Sequence, residues 1–121
     1  MALGLRNNLL ARSDPDLGHH IENLVYLELL RRGYEASIEK LAEKEIDFVA
    51  QTAQSRTYYQ VAASVLGENT LMRELAPLKA IPDHYPKVLL TLDVIGSPTN
   101  IDGIQQKNLL DWLVEDDLPH R

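Results

Sequence analysis

Two short stretches near the middle of the chain decide the fold. Residues 45–50 have the sequence Glu-Ile-Asp-Phe-Val-Ala, and residues 58–62 have the sequence Tyr-Tyr-Gln-Val-Ala. In the first stretch, charged residues alternate with Ile, Phe and Val, and a period of two is typical of a half-buried β-strand. The polar residues 52–56 lie between the stretches, so the two strands are expected to form a hairpin.

Polar residues on this predicted hairpin are also spaced by two. Glu45 and Asp47 on the first strand, and Gln60 and Ala62 on the second, are each expected to share a face of the sheet. A carboxylate and an amide on neighbouring strands, with a helix glutamate packed over them, would supply the oxygen ligands that Mg²⁺ prefers. Such an ion can activate water against a phosphodiester. The alternative is that Glu45 and Asp47 face solvent on one side of a hairpin.

Composition restricts the class of protein. The chain has 121 residues, of which 45% are hydrophobic, and this predicts one domain with a single core. It has no cysteine, which excludes a disulfide framework and a thiolate metal site and favours the cytoplasm. No segment has the length and apolar character of a membrane span. The formal net charge of -6 argues against a broad nucleic-acid surface, which needs Lys and Arg, but leaves room for a small basic cleft.

The residues before the hairpin predict one long helix and one strand. The helix is expected to begin near Pro15 and to end at Gly33, because Pro favours the first turn and Gly favours the position after the last. By 100° steps, Glu28 falls in the apolar stripe of this helix, whereas Glu22 lies at its edge. Residues 34–40 predict a first strand, so the hairpin supplies the second and third strands.

The residues after the hairpin predict a second helix, two strands and a final helix. The second helix is expected to begin at Glu68. Residues 87–93 form a near-continuous apolar run, which is typical of a central parallel strand buried on both faces. A short strand is expected near residues 100–104, and Asn108 can cap the last helix. The predicted order is αβββαββα, an α/β domain.

Motifs for nucleotide binding and nucleophilic catalysis are absent from the sequence. There is no GxxxxGK[ST] loop and no GxGxxG. His19 and His20 are adjacent and diverge by about 100° on a helix, so they cannot both bind one metal ion without other ligands. The serines fall in no nucleophile elbow.

Four segments carry a resemblance to a known family: GHHIENLVYLELLRRGY at 18–34, KEIDFVA at 44–50, YQV at 59–61 and YPKVLLTLD at 85–93. Together they resemble the C-terminal domain of unknown function found on bacterial and archaeal AAA+-type ATPases, and the likeness extends from Gly4 over nearly the whole chain. That family has the PD-(D/E)xK nuclease-like fold of restriction endonucleases and Holliday-junction resolvases. The resemblance therefore implies a restriction-endonuclease-like, three-layer domain with a mixed central sheet.

The resemblance also implies site residues. Active members of this superfamily combine a glutamate on the first helix, an aspartate on the second strand and an (E/Q)-x-K motif on the third. Glu22 takes the helix position, because it precedes Gly33 by eleven residues, a spacing similar to that of the resolvases. Asp47 matches the aspartate and Gln60 matches the third-strand acid as an amide. Val61 would offer its backbone carbonyl as a fourth metal ligand.

This sequence departs from the family pattern at Ala62, which stands where the lysine is expected. A methyl group can neither position the attacking water nor offset developing negative charge. Gln60 lowers the number of carboxylates around a metal ion. The catalytic set Glu22, Asp47 and Gln60 is therefore expected to be vestigial. In the alternative, a basic residue has migrated from elsewhere, with Arg73 on the second helix as the candidate.

These expectations lead to two functional hypotheses and to a structural alternative, in which Glu22 and Gln60 only form hydrogen bonds across the contact between helix and sheet. In the first, the chain is a catalytically degenerate binding or regulatory module that serves an AAA+-type ATPase module or another copy of itself, with no cofactor. In the second, it is a nuclease that uses Mg²⁺ or Mn²⁺ and acts on DNA. The resemblance further implies that residues 1–14 are the remnant of a preceding module and that residues 15–121 form the nuclease-like domain. The chain would then be a fragment, or a gene reduced to its last domain.

Overall fold

The computed structural model describes residues 15–41 and 44–115. The predicted N-terminal segment, residues 1–14, lies outside the described residues. The elements in chain order are α1 (Pro15–Arg31), β1 (Glu35–Leu41), β2 (Lys44–Gln51), β3 (Arg56–Ala62), α2 (Glu68–Lys79), β4 (Lys87–Thr91), β5 (Thr99–Ile101), β6 (Ile104–Asn108) and α3 (Leu109–Leu113).

The six strands form one mixed sheet in the order β1-β2-β3-β4-β6-β5. β1, β2 and β3 are antiparallel neighbours, as the predicted hairpin requires. β4 is parallel to both β3 and β6, and α2 makes the crossover from β3 to β4. The apolar run is thus confirmed as a central parallel strand over Lys87–Thr91, with β3 on one side and β6 on the other.

Helices cover the sheet on both faces. On one face, α1 and α3 pack over a cluster that includes Val25, Leu29, Leu90 and Trp112. On the other face, α2 packs over a cluster that includes Leu75, Leu78 and Leu89. The described residues therefore form an α/β domain of three layers, with a six-stranded mixed sheet and three helices.

The expectation of a single strand near residues 100–104 was wrong. The chain instead forms a hairpin there, β5 and β6, which turns at Asp102 and Gly103 with φ of +53° and +87°. Asp-Gly is a strong signal for such a turn, because both positions need positive φ. β6 was missed because it is mostly polar and buries only Ile104 and Gln106. The observed order is αβββαβββα.

The end of α1 follows its predicted stop signal. Gly33 has φ of +95° and donates its N–H to the Leu30 carbonyl over 3.0 Å. Arg32, only 2% exposed, then ties this end to α3. Its Nη2 donates to the Trp112 carbonyl over 2.6 Å, its Nε donates to Glu28 over 2.7 Å, and its guanidinium lies 4.3 Å from the centre of the indole ring.

Candidate functional site

The candidate site lies where β2 and β3 separate. Their backbone pairing ends at Phe48 and Tyr59. Beyond that pair, the Asp47 N–H donates to Gln60 Oε1 over 2.7 Å, and the Val61 N–H donates to Asp47 Oδ2 over 2.9 Å. The side chains of Asp47 and Gln60 therefore replace ladder hydrogen bonds between the two strands.

A register irregularity between β1 and β2 coincides with this separation. Ser37 pairs with Val49, but Glu39 pairs with Ile46, so β2 carries one extra residue in the interval that contains Asp47. Such a bulge bends the strand and interrupts its alternation. Consequently Ile46 and Val49 both belong to the cluster under α2, which a strict period of two would not allow.

Gln60 links this junction to α2. Its side chain is 4% exposed, and its Nε2 lies 3.4 Å from the Glu74 backbone carbonyl and 3.5 Å from Glu74 Oε1. Glu74 was missed in the sequence. The available signal was its position in α2, because by 100° steps it falls about 40° from Leu78, at the edge of the buried stripe.

Carboxylates dominate the electrostatics of the site. The pKa of Asp47 is raised to about 7, chiefly because burial disfavours the charged form, while the hydrogen bond from Val61 opposes the rise. The negative charges of Glu22, Glu74 and Glu45 raise it further. The charged groups that shift the pKa of Asp47 are thus all carboxylates among the described residues.

Glu22 and Glu74 belong to the same group of acids. Burial raises the pKa of Glu22, and the charge of Glu45 adds to the rise while His19 opposes it. Burial likewise raises the pKa of Glu74, with Arg73 opposing and Glu22 adding. Glu22 on α1 is therefore close enough to Asp47 and Glu74 to influence both of them.

The second helix glutamate, Glu28, is engaged elsewhere. Arg31 and Arg32 both donate to its carboxylate, and the hydrogen bond from Arg31 is the main reason that its pKa falls to about 2. Of the two candidates on α1, Glu22 is the one whose charge acts on the hairpin. The assignment of Glu22 to the helix position of the site stays a prediction.

Among the described residues, the charged groups that shift the pKa of Asp47 are Glu22, Glu74 and Glu45, and none of them is a cation. Ala62 is half-buried at the end of β3 and pairs with Thr91. Arg73 is exposed on α2, and its charge opposes the rise in the pKa of Glu74 that burial causes. The migration of the lysine's role to Arg73 stays a prediction.

The predicted metal ligands Glu22, Asp47, Gln60 and Val61 stay a prediction, and two of their side chains already have hydrogen-bond partners in the protein. Within residues 15–41 and 44–115, no group of three or more His, Asp or Glu side chains is placed to hold a metal ion. Asp47 and Gln60 each use an oxygen to accept a backbone N–H of the other strand.

An open cleft of about 490 Å³ adjoins Glu22, between α1 and β1. The rings of Tyr26 and Phe48 stack in it, with centres 6.1 Å apart and planes 25° apart. The lining includes His19, Glu22, Tyr26, Ser37, Ile38 and Phe48. Sequence reasoning did not find this cleft, because it depends on how α1 crosses the sheet.

Comparison with known proteins gives one relative and no family. The chain is 40% identical, over 112 residues, to an uncharacterized protein of Haemophilus influenzae. The match covers 93% of this chain but only 27% of that protein, so the chain spans about a quarter of the relative's length. No family model matches the chain, and no solved structure matches it.

Among the described residues, no helix has the length and hydropathy needed to cross a membrane.

Proposed function

We propose that this chain is a catalytically degenerate PD-(D/E)xK-like domain that serves as a binding or regulatory module for an AAA+-type ATPase or for a second copy of itself. The observation that carries the proposal is the exchange of hydrogen bonds between Asp47 and the strand of Gln60. The two side chains that an active site would direct at a metal ion are used here to join β2 to β3. The three-layer arrangement around a mixed sheet supports the restriction-endonuclease-like fold.

The charge of the site supports the loss of catalysis. Phosphodiester cleavage needs positive charge near the developing negative charge of the transition state. Here Ala62 offers a methyl group, and Glu22 and Glu74 add negative charge around Asp47. Without a bound cation, a phosphate group that approached this site would be repelled by the carboxylates.

The relative supports a role within a larger assembly. The homologous region is about a quarter of the protein from Haemophilus influenzae, so there it is joined to a much longer polypeptide. We propose that the homologous region acts there through contact with the rest of that polypeptide. This is the basis for proposing a binding module.

Cleavage assays test the proposal. We expect the purified 121-residue chain to leave plasmid DNA, linear DNA and RNA intact in millimolar Mg²⁺ or Mn²⁺, with no difference between the wild type and Asp47→Ala. Since an ion that binds the folded state raises its melting temperature, we also expect neither metal to stabilise the chain beyond NaCl at equal ionic strength. Metal-dependent cleavage that disappears in Asp47→Ala would refute the proposal.

One observation favours a second candidate, a Mg²⁺-dependent nuclease that uses a migrated basic residue. The charges of Glu22 and Glu74 act on the ionisation of Asp47, and the charges of Arg73 and Glu22 act on that of Glu74. In that case Arg73→Ala should abolish cleavage. The matched control Arg31→Ala, at an exposed arginine that contacts Glu28, should leave it unchanged. If both variants cleave alike, this candidate is excluded.

A further inference from the structure

The sheet has an open edge beside the cleft. Within the described residues, β1 is the first strand of the sheet and pairs only with β2. β1 is seven residues long, contains no proline, and its Ile38 side chain is 64% exposed. The free N–H and C=O groups of an edge strand can bind another strand.

The cleft lies directly against this edge. Ser37 and Ile38 of β1 form one wall, and Glu22 and Tyr26 of α1 form another. Successive side chains of a strand point to opposite faces of a sheet, so every second side chain of an added strand would point towards the α1 face. The nearest of these side chains would enter the cleft.

The lining of the cleft selects a basic side chain. Phe48 and the stacked ring of Tyr26 offer apolar and aromatic surface to an aliphatic stem and a cation. Glu22 is the acid in the lining, and burial is the main cause that raises its pKa, opposed by His19, which also lines the cleft, and aided by the charge of Glu45. Since a carboxylate taken partly out of water gains from an opposite charge, a Lys or Arg head beside Glu22 would be favoured. The chain's net charge of -6 also attracts a basic partner.

We infer that the free edge of β1 and the adjoining cleft bind an extended, basic segment of a protein partner, which adds to the sheet as a strand and places one Arg or Lys side chain between Tyr26 and Glu22. This inference rests on the proposed function as a binding module, and it names the class of partner and the place where that partner binds. β-Strand addition of this kind draws affinity from the main chain and specificity from pockets for alternate side chains.

A peptide titration of the full chain tests the inference. The probe is an acetylated and amidated hexapeptide in which arginine alternates with valine, followed by ¹⁵N-¹H NMR spectra. We expect saturable shifts at the amides of Glu22, Ser37 and Ile38. The same peptide with glutamine for arginine should bind about tenfold more weakly, which corresponds to the loss of one partly buried charge pair.

Three variants separate the edge and the cleft from general charge effects. Glu22→Gln should weaken binding about tenfold, whereas Glu35→Gln, the same charge change at an exposed position on β1, should alter it by no more than about twofold. Ile38→Lys should also weaken binding, because it places a positive charge on the exposed edge. Equal binding of the arginine and glutamine peptides, or equal effects of Glu22→Gln and Glu35→Gln, would overturn the inference, as would an absence of binding at millimolar peptide.

The same samples distinguish this inference from the proposed function. Cleavage assays on the wild-type chain decide whether catalysis is lost, and they do not depend on the peptide. If the chain neither cleaves nucleic acid nor binds the peptide, the loss of catalysis stands and the assignment of the edge and cleft falls. If the chain cleaves in an Asp47-dependent way, the proposed function falls whatever the peptide does.

Discussion

Asp47 is subject to two opposing influences. The Val61 N–H donates to its carboxyl group, which favours the charged form, whereas burial and the charges of Glu22, Glu74 and Glu45 favour the neutral form. Burial is the larger influence, and the pKa rises from 3.8 to about 7. A residue placed to join two strands is therefore also sensitive to pH.

The raised pKa of Asp47 determines whether the stability of the fold rises or falls with pH. The unfolded chain releases the Asp47 proton near pH 3.8, but the folded chain retains it to about pH 7. The contribution to stability is fully present below the lower value and is lost as the pH rises towards the higher one. For a shift of this size, the loss is at most about 4 kcal/mol.

Asp47→Asn should remove this dependence. The amide keeps an oxygen that can accept the Val61 N–H but does not titrate. We measure the free energy of unfolding by urea at pH 4.5 and at pH 7.5. We expect the difference between the variant and the wild type to change in favour of the variant by on the order of 1–4 kcal/mol from the lower pH to the higher one. Asp102→Asn, at a side chain that is 70% exposed, serves as the control. If the difference between Asp47→Asn and the wild type is the same at both pH values, the raised pKa of Asp47 is wrong.

Among the elements, the end of α1 depends on one buried cation. Arg32 contacts the Glu28 carboxylate, the Trp112 carbonyl and the Trp112 indole, and so joins the last turn of α1 to α3. The chain has one tryptophan, and its side chain is 1% exposed. Its fluorescence therefore reports on this contact.

Arg32→Lys should loosen the contact between α1 and α3. Lysine keeps the charge but cannot donate from a planar fork to two acceptors while it lies over a ring. We expect a loss of about 2–4 kcal/mol in the free energy of unfolding and a red shift of the Trp112 emission. Arg31→Lys, at a side chain that is 67% exposed, should change stability by less than about 0.5 kcal/mol. Equal effects of the two substitutions would contradict a structural role for Arg32.

The elements that the sequence predicted are those with strong local signals. The start of α1 at Pro15 and the stop at Gly33, the hairpin of β2 and β3, and the Asn108 cap of α3, which accepts the Asp111 N–H, all agree with the structure. Each depends on residues close together in the chain. The β5–β6 hairpin was missed, although its Asp-Gly turn was visible, because Gln105 and Gln106 hide the strand pattern.

The candidate site was predictable only in part, because some of its features depend on residues that are far apart in the chain. The spacing of two placed Asp47 on the strand next to Gln60, and the structure has them side by side. The bulge in β2 arises from its pairing with β1, and the approach of Glu74 arises from the packing of α2, so both depend on tertiary contacts. Tertiary contacts also decide whether a polar side chain binds an ion or a neighbouring strand.

In the whole molecule, the central sheet joins two cores. Leu89 and Leu90 are adjacent on β4 and both are 0% exposed, but Leu89 belongs to the cluster under α2 and Leu90 to the cluster under α1 and α3. β4 has hydrogen-bonded neighbours on both sides. We therefore expect the two cores to unfold together, since neither can lose its packing without disturbing the shared strand.

The pair Leu89→Ala and Leu90→Ala tests this coupling. Each substitution should cost about 2–5 kcal/mol, because each leaves a cavity at a fully buried leucine. Both should lower the urea midpoint equally by far-UV circular dichroism and by the fluorescence of Trp112, although Trp112 lies only on the α1 side. Leu110→Ala, at a side chain that is 58% exposed, should change stability by less than about 0.5 kcal/mol. If Leu89→Ala shifts the circular dichroism transition but leaves the fluorescence transition in place, the two layers unfold separately, and the α1 side that carries the proposed binding edge is then an independent unit.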